Sequence, residues 1–394
     1  QLEKRRVKLY SFSTMKFLHL ADLHLGKRVN DFSLLEDQEF ILQQLLEIAE
    51  RENVDAVVIA GDVYDKSTPS EQAVMLLDTF LVNLSRKHIT VFLIAGNHDS
   101  AERLAFGSRL MEQEGLHISK VYDGTVEPIC MQDSFGSVRF YLLPFIKPAH
   151  VRAVFEKDIE SYTDAVNEAI SQMHIDTNER NVLVTHQFVT GSVRCDSEDF
   201  SVGGTDNVDA FVFDGFDYVA LGHIHSPQQV TRETMRYSGT PLKYSFSEST
   251  HKKSACIVEL REKGTVSVTL IPLTPLHDMR EIKGRFSDII SGKANSSQNS
   301  EKQSPDDYLH ITLTDEQDVP DALSKLRLVY PRIMKLDYDN ERTRNSQSVQ
   351  MSASLQKKSP IEIFADFYES QNASALNEQQ RSYLEFLITS LLSE

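Results

Sequence analysis

Short apolar runs recur along the first 225 residues, too brief for helices and too continuous for half-exposed strands. They are Phe17 to Ala21, Ala56 to Ala60, Ile89 to Ala95, Asn181 to Thr185 and Tyr218 to Leu221. Parallel strands buried on both faces have this pattern. Between them the apolar period lengthens to that of a helix. Leu34 to Glu50 carries Phe40, Ile41, Leu45, Leu46 and Ile48 on one face. Pro69 to Leu84, with Pro69 in the first turn after Thr68, carries Met75, Leu76 and Phe80, and Val151 to Met173 is a third helical candidate. Strand and helix in alternation predict βαβ units and a layered α/β domain. After Gly222 the pattern turns strand-rich, at Met235 to Ser238, Ser254 to Glu259 and Val266 to Ile271, which fits the second sheet of a sandwich.

The pattern changes again beyond residue 280. Residues 292–305 are rich in Ser, Asn, Gln and Lys and read as a loop or linker. Tyr308 to Thr314, Val319 to Leu328 and Arg332 to Tyr338 form a compact strand–helix–strand unit, so residues 281–340 are expected to be a small second domain. Residues 341–359 are polar and read as a flexible linker. Residues 360–394 then offer two short amphipathic helices, one with Ile361, Ile363, Phe364, Phe367 and Tyr368, the other with Tyr383, Leu384, Phe386, Leu387, Ile388 and Leu391. A hairpin of that size cannot bury its own aromatics, so it is expected either to dock back on its own body or, the favoured reading, to be covered by a protein partner.

Composition narrows the class. Three cysteines without metal-type spacing exclude a disulfide framework and point to a reducing compartment, the cytoplasm. No apolar run approaches the roughly 20 residues of a membrane span. Residues 1–14 precede a natural-looking start at Met15 and are set aside as an upstream segment. A net charge of −17 is unusual for a protein that holds nucleic acid unaided, so any polyanionic substrate is expected to be gripped through a local patch or a partner.

The chemistry lies where the apolar runs stop. They lead into Asp22-Leu23-His24, Gly61-Asp62 (with Asp65 three residues on), Gly96-Asn97-His98-Asp99, His186, and Gly222-His223-Ile224-His225. Open α/β sheets bind ligands outside the carboxyl ends of their strands. Five strand ends would therefore bring oxygen and imidazole donors to one rim, a donor set suited to two divalent ions. The glycines before Asp62, Asn97 and His223 allow sharp turns and close approach. Asp-x-His or Gly-Asp alone is commonly a cap or a turn; five such endings in succession are not explained that way. The remaining histidines, His19, His88, His117, His150, His174, His251, His277 and His310, lack this context and read as ordinary surface or core residues.

This order of motifs resembles the calcineurin-like metallophosphoesterases. The resemblance implies a four-layer αββα sandwich over residues 15–280. It also implies one metal held by Asp22, His24, Asp62 and His225, a second held by Asp62, Asn97, His186 and His223, and Asp62 bridging. His98 would be the general acid that protonates the leaving oxygen, and Asp99 would orient its ring. The stretches FLHLADLHLGK, AGDVYDKSTPS, LIAGNHDSAERL and YSGTPLKYSFSE are more narrowly similar to the SbcD family of bacterial nuclease subunits. That family is related to the meiotic-recombination break-repair nuclease. The narrower likeness implies Mn²⁺-dependent exonuclease and endonuclease action on double-stranded DNA ends and hairpins, in repair and recombination. It further implies a capping role for residues 281–340, a nucleoid-associated location, a homodimer within a heterotetramer, and an SbcC-like coiled-coil ATPase bound through residues 360–394. Asp65 stands where other relatives carry a histidine and is assigned to anchoring its loop. The competing readings are a free-standing phosphodiesterase or phosphatase acting on small nucleotides or phosphoproteins, and a non-catalytic scaffold.

Overall fold

The computed structural model of the protein describes residues 14–195, 198, 206–293, 304–341, 343–344, 361, 364–365, 368 and 376–391. The chain divides into two compact units, the first ending at Met279 and the second beginning at Arg280.

Two six-stranded sheets make the first unit. One runs in the order Val266–Pro272, Ser254–Leu260, Met15–Leu20, Ala56–Ala60, Thr90–Ile94, Leu116–Ile118. The other runs Gln228–Val230, Arg232–Tyr237, Tyr218–Gly222, Arg180–His186, Gly136–Leu143, Ile129–Asp133. The centre of each sheet is parallel, pairing Met15–Leu20 with Ala56–Ala60 and Thr90–Ile94 in one, and Tyr218–Gly222 with Arg180–His186 in the other. Side chains alternate across each strand, so both faces of these central strands must be apolar. Ala56, Val58, Ala60, Phe92 and Ile94 of the first sheet meet Phe140, Val182, Val184 and Ala220 of the second. At that seam Phe92 stacks on Phe140 with ring centroids 4.3 Å apart, a pairing worth about 1 kcal/mol beyond its burial.

Helices cover the outer faces. Pro148–Phe155 and Tyr162–Ser171 place Val151, Ala165, Val166 and Ala169 on Leu183, Val219 and Leu221. Leu35–Arg51 and Glu71–Arg86 bury Ile41, Leu45, Leu77, Phe80 and Leu84 on the side of the first sheet. The layering is αββα, as expected.

Three local expectations are corrected. The single helix over Val151 to Met173 is two helices. The first ends at Glu156, which takes a left-handed conformation, and the second opens at a capping box in which Ser161 and Asp164 bond each other's backbone N–H. Ser70, not Thr68, caps the helix Glu71–Arg86, accepting from the Ala73 N–H, so Pro69 lies ahead of the helix. The late strands do not all join a second sheet: Ser254–Leu260 returns to the first, antiparallel to Met15–Leu20, and Val266–Pro272 follows at its edge, antiparallel to Ser254–Leu260. A hydrophobic pattern specifies that a strand is buried and leaves its sheet open.

The second unit contains a three-stranded sheet of Met279–Gly284, Tyr308–Leu313 and Ile333–Tyr338. The helix Ala322–Arg327 covers it, and Leu309, Ile311, Leu313, Leu326 and Ile333 form its core. The predicted strand–helix–strand unit is present, with Met279–Gly284 as an added strand. The buried Arg280 Nε donates to Asp307 Oδ2 at 2.6 Å. Of the expected terminal pair, a helix is seen at Glu378–Leu391. Most of 360–370, the 341–359 linker and the 292–305 loop fall outside the described residues.

Candidate metal centre

The first sheet delivers Asp22, Asp62 and Asn97 from the ends of three strands, and the second delivers His186 and His223 from two. Backbone hydrogen bonds zip the first two ends together, from Asp22 N–H to Gly61 O at 3.0 Å, His24 N–H to Asp62 O at 2.9 Å and Leu25 N–H to Val63 O at 2.9 Å. The third end joins through His98, whose N–H donates to Asp62 Oδ1 at 2.9 Å. The second sheet joins through His223, whose N–H reaches both Asp22 carboxylate oxygens at 3.1 Å.

Four of the donors have positive φ: Asp22 at 53°, His24 at 43°, Asp62 at 46° and His223 at 105°. Each such residue costs on the order of 1–3 kcal/mol, and strain of this kind persists where the surroundings hold it for a purpose. Glycine makes the convergence possible. A Cβ on Gly222 would lie 1.8 Å from Ala60 O, one on Gly96 2.1 Å from Asp62 Oδ1, and one on Gly61 2.4 Å from His186 Nδ1.

The donors of the two expected ion positions differ in how they are satisfied. His186 Nδ1 donates to the Ala60 carbonyl at 2.8 Å, which turns Nε2 towards Asn97 Oδ1 at 2.9 Å and Asp62 Oδ2 at 3.3 Å. His223 Nδ1 meets the same Asn97 oxygen at 3.0 Å. On the other side, both ring nitrogens of the buried His24 lack a hydrogen-bond partner among the described residues. Buried imidazole nitrogens are seldom left so, and a cation is the partner such a site fits. Donor atoms of Asp22, His24 and His225 lie within 4.8 Å of one another, as do those of Asp22, Asp62 and His186. Asp62 Oδ2 stands between them, 3.8 Å from His24 Nε2 and 3.9 Å from His98 Nε2, where a bridging oxygen belongs. The residues fit a pair of divalent ions.

Electrostatics agrees. Burial pushes Asp22 up to about 7, against the pull of His186. Burial would also raise Asp62, but His186, by charge and by hydrogen bond, holds it well below the usual carboxylate range. Burial works against a charge on His186, yet Asp62 lifts it to about 9. Burial and the neighbouring His186 lower His223 to about 3, and burial holds His24 far down. The cluster thus gathers positive charge onto one ring among its carboxylates, and bound cations would replace that proton.

His98 stands apart from the ligands. Its side chain is 25% exposed, where every ligand imidazole is buried. Its Nδ1 is 3.2 Å from the Asp65 carbonyl, so that nitrogen donates and Nε2 faces the cluster. The expected Asp99 contact with this ring is corrected. The Asp99 carboxylate accepts from the N–H groups of Val63 at 3.0 Å, Tyr64 at 2.9 Å and Gly96 at 2.9 Å, tying the loop of Asp62 to that of Asn97. Burial, and then Asp62, raise Asp99 to about 6. The Asp65 carboxylate pairs with Lys27 Nζ at 2.7 Å, and its carbonyl meets His98 Nδ1.

Sequence reasoning missed the layer behind the ligands. Gln38 Nε2 donates to His24 O at 2.7 Å, and the Tyr244 hydroxyl donates to Leu23 O. Glu248 Oε1 lies 3.0 Å from His225 Nδ1, and Glu198 Oε1 accepts the His225 N–H at 2.7 Å. These residues follow no spacing rule; Glu198 and Glu248 lie 27 and 23 positions from the histidine they hold.

Residues 15–227 match the calcineurin-like phosphoesterase family, and residues 275–372 match the type 5 capsule protein repressor C-terminal domain. The SbcD component of the nuclease SbcCD of Staphylococcus epidermidis is 34% identical over 387 residues, spanning 96% of this chain and 99% of the relative. Its counterpart in Staphylococcus saprophyticus is 34% identical over 389 residues, with the same coverage. Among solved structures, a dimetal phosphatase from Danio rerio is 14% identical and covers 66% of this chain and 99% of its own, with a TM-score of 0.37, too distant to argue from.

Proposed function

Since the chain belongs to the SbcD nuclease subunits, within the calcineurin-like phosphoesterases, we propose that it hydrolyses DNA phosphodiester bonds, at ends or hairpins, with two Mn²⁺ ions. Asp22, His24, Asp62 and His225 hold one ion in this reading; Asp62, Asn97, His186 and His223 hold the other. The observation that carries it is the buried His24, with two unpartnered ring nitrogens, beside an Asp62 oxygen that three histidine rings face within 3.9 Å.

Two divalent ions supply Lewis-acid stabilisation of developing charge and a water acidified towards neutrality. The chain's own residues do the rest. Asp62 orients the cluster, with one oxygen fixed by the His98 N–H and the other turned to the donors. His98, its Nδ1–H set by the Asp65 carbonyl, would act as the imidazolium, giving its second proton, on Nε2, to the departing sugar oxygen. The polar loops of Asp22 and Asp62, zipped to each other, keep the donors from drifting as substrate enters.

Residues 281–340 are assigned as the capping domain and residues 360–394 as the segment that binds an SbcC-like coiled-coil ATPase, with the chain acting as a homodimer in DNA repair and recombination. The acidic net charge supports division of labour, because a partner would supply much of the phosphate contact. No described helix is long and apolar enough to cross a membrane.

The test is cleavage of free and blocked double-stranded DNA ends with Mn²⁺, with and without the ATPase. His98→Ala should lower cleavage by roughly 10²–10⁴-fold while two ions remain bound. Undiminished cleavage would remove His98 from the reaction. Turnover of small phosphodiesters alone, unaffected by deleting residues 341–394, would replace the nuclease reading with a free-standing phosphodiesterase.

A further inference from the structure

We propose that Glu248 is a positioning residue of the metal centre: its carboxylate keeps the His225 proton on Nδ1, so that Nε2 is the lone pair offered to the ion shared with Asp22 and His24. The proposal rests on the ligand assignment above and extends it to a residue that touches no ion.

Neutral imidazole carries one N–H, and the partner of one nitrogen decides which nitrogen is free to ligate. For His186 the partner is a backbone carbonyl, Ala60 O. For His225 it is a side chain, Glu248 Oε1, 3.0 Å from Nδ1 and fully buried. The other Glu248 oxygen accepts from Lys253 Nζ at 2.6 Å. That buried ammonium has two further acceptors, the His225 carbonyl at 2.9 Å and Thr240 Oγ1 at 2.6 Å, which accounts for its three hydrogens. With Glu198 on its N–H, His225 is held at its amide, its carbonyl and its ring.

A purely structural role explains this arrangement poorly. The Phe246–Glu248 turn is already closed by Glu248 N–H to Ser245 O at 3.0 Å and by Ser247 N–H to Ser245 Oγ at 3.2 Å. A buried carboxylate–ammonium pair adds little net stability over an apolar pair of similar volume. What it does add is orientation: it fixes a single tautomer at a ring whose donor atom lies within 4.8 Å of those of Asp22 and His24.

The experiment titrates metal-free, full-length protein with Mn²⁺ by calorimetry and electron paramagnetic resonance. In wild type two ions should bind. In folded Glu248→Gln one of the two should bind roughly 10–100-fold more weakly, DNA cleavage should return at high Mn²⁺, and Glu248→Asp should recover part of the affinity. Unchanged affinity for both ions in folded Glu248→Gln overturns the proposal. Fewer than two ions in wild type overturns the ligand assignment, and the proposal with it. If Glu248→Gln does not fold, the ¹⁵N-histidine spectrum of metal-free wild type decides, with the His225 signal identified by its loss in His225→Gln. A ring proton on Nδ1 supports the proposal, and one on Nε2 overturns it.

Discussion

The two halves of the ligand rim use the same kinds of donor and hold them differently. Around Asn97, His186 and His223 the donors satisfy one another, and a backbone carbonyl, Ala60 O, sets the orientation of His186. Around Asp22, His24 and His225 the donors leave His24 unsatisfied, and side chains set the geometry, Gln38 through the His24 carbonyl and Glu248 through the His225 ring. The first half is therefore vulnerable through its backbone, and the second through residues distant in sequence. The first is complete as a hydrogen-bonded cluster by itself; the second contains a ring whose nitrogens suit a cation and make no hydrogen bond among the described residues.

The largest effect should come from the backbone. Gly222→Ala would place a methyl 1.8 Å from Ala60 O and 2.7 Å from His186 Nδ1, and the nearer of these is backbone that cannot rotate away. We expect a loss of about 4 kcal/mol or more, read by denaturant unfolding, together with loss of cleavage. A variant of near-wild-type stability would show that the two sheets can separate at this point, and the rigidity ascribed to this half would fall.

Next is a direct contrast between the two halves in metal-free protein. His186→Ala leaves Asn97, Asp62 and the Ala60 carbonyl short of a partner, whereas His24→Ala removes two nitrogens that had none. His186→Ala should therefore be the more destabilising by about 1–3 kcal/mol, with both variants losing Mn²⁺. Equal costs in thermal unfolding would erase the distinction.

Metal removal sharpens the same point. Mn²⁺ at a hundred times its Kd should stabilise wild type by about 2.7 kcal/mol for each ion bound, and chelation should reverse this. In His24→Ala the part of that gain due to the first ion should vanish. A chelator without effect on the melting temperature would mean that no ion binds preferentially to the folded state.

The smallest expected effect is on pH dependence. Without ions, Asp62 lifts His186 to about 9, so below that pH its ring is protonated and an ion must displace the proton. Affinity at the His186 position should then fall as pH falls, about tenfold per unit for each proton displaced. Calorimetry in buffers of differing ionisation enthalpy would count the protons released. Zero release near neutral pH would contradict the charge assigned to this ring.

Much of this was legible in the chain. The five apolar runs are the strands they were read to be, and their ends converge, because continuous apolar runs can only be buried centrally and such strands end at one rim. The glycines before Asp62, Asn97 and His223 are needed for close approach, although among the three only Gly61 also has positive φ. The break at Glu156 was not legible, since the apolar period continues across it and the stop is conformational. The resemblance placed Asp99 on the His98 ring, whereas three nearby backbone N–H groups reach its carboxylate, which no spacing in the chain announces.

The identity and order of the donors are properties of the sequence alone. They follow from which residue types stand at the ends of buried strands. The tertiary structure decided that three ends come from one sheet and two from the other, and that Ser254–Leu260 joins the former. It also decided that Glu248, Lys253 and Gln38 stand behind the rim. A strand's pattern records burial and carries no address, and a carboxylate far along the chain gives no sign of the ring it will hold. Only packing brings the two together.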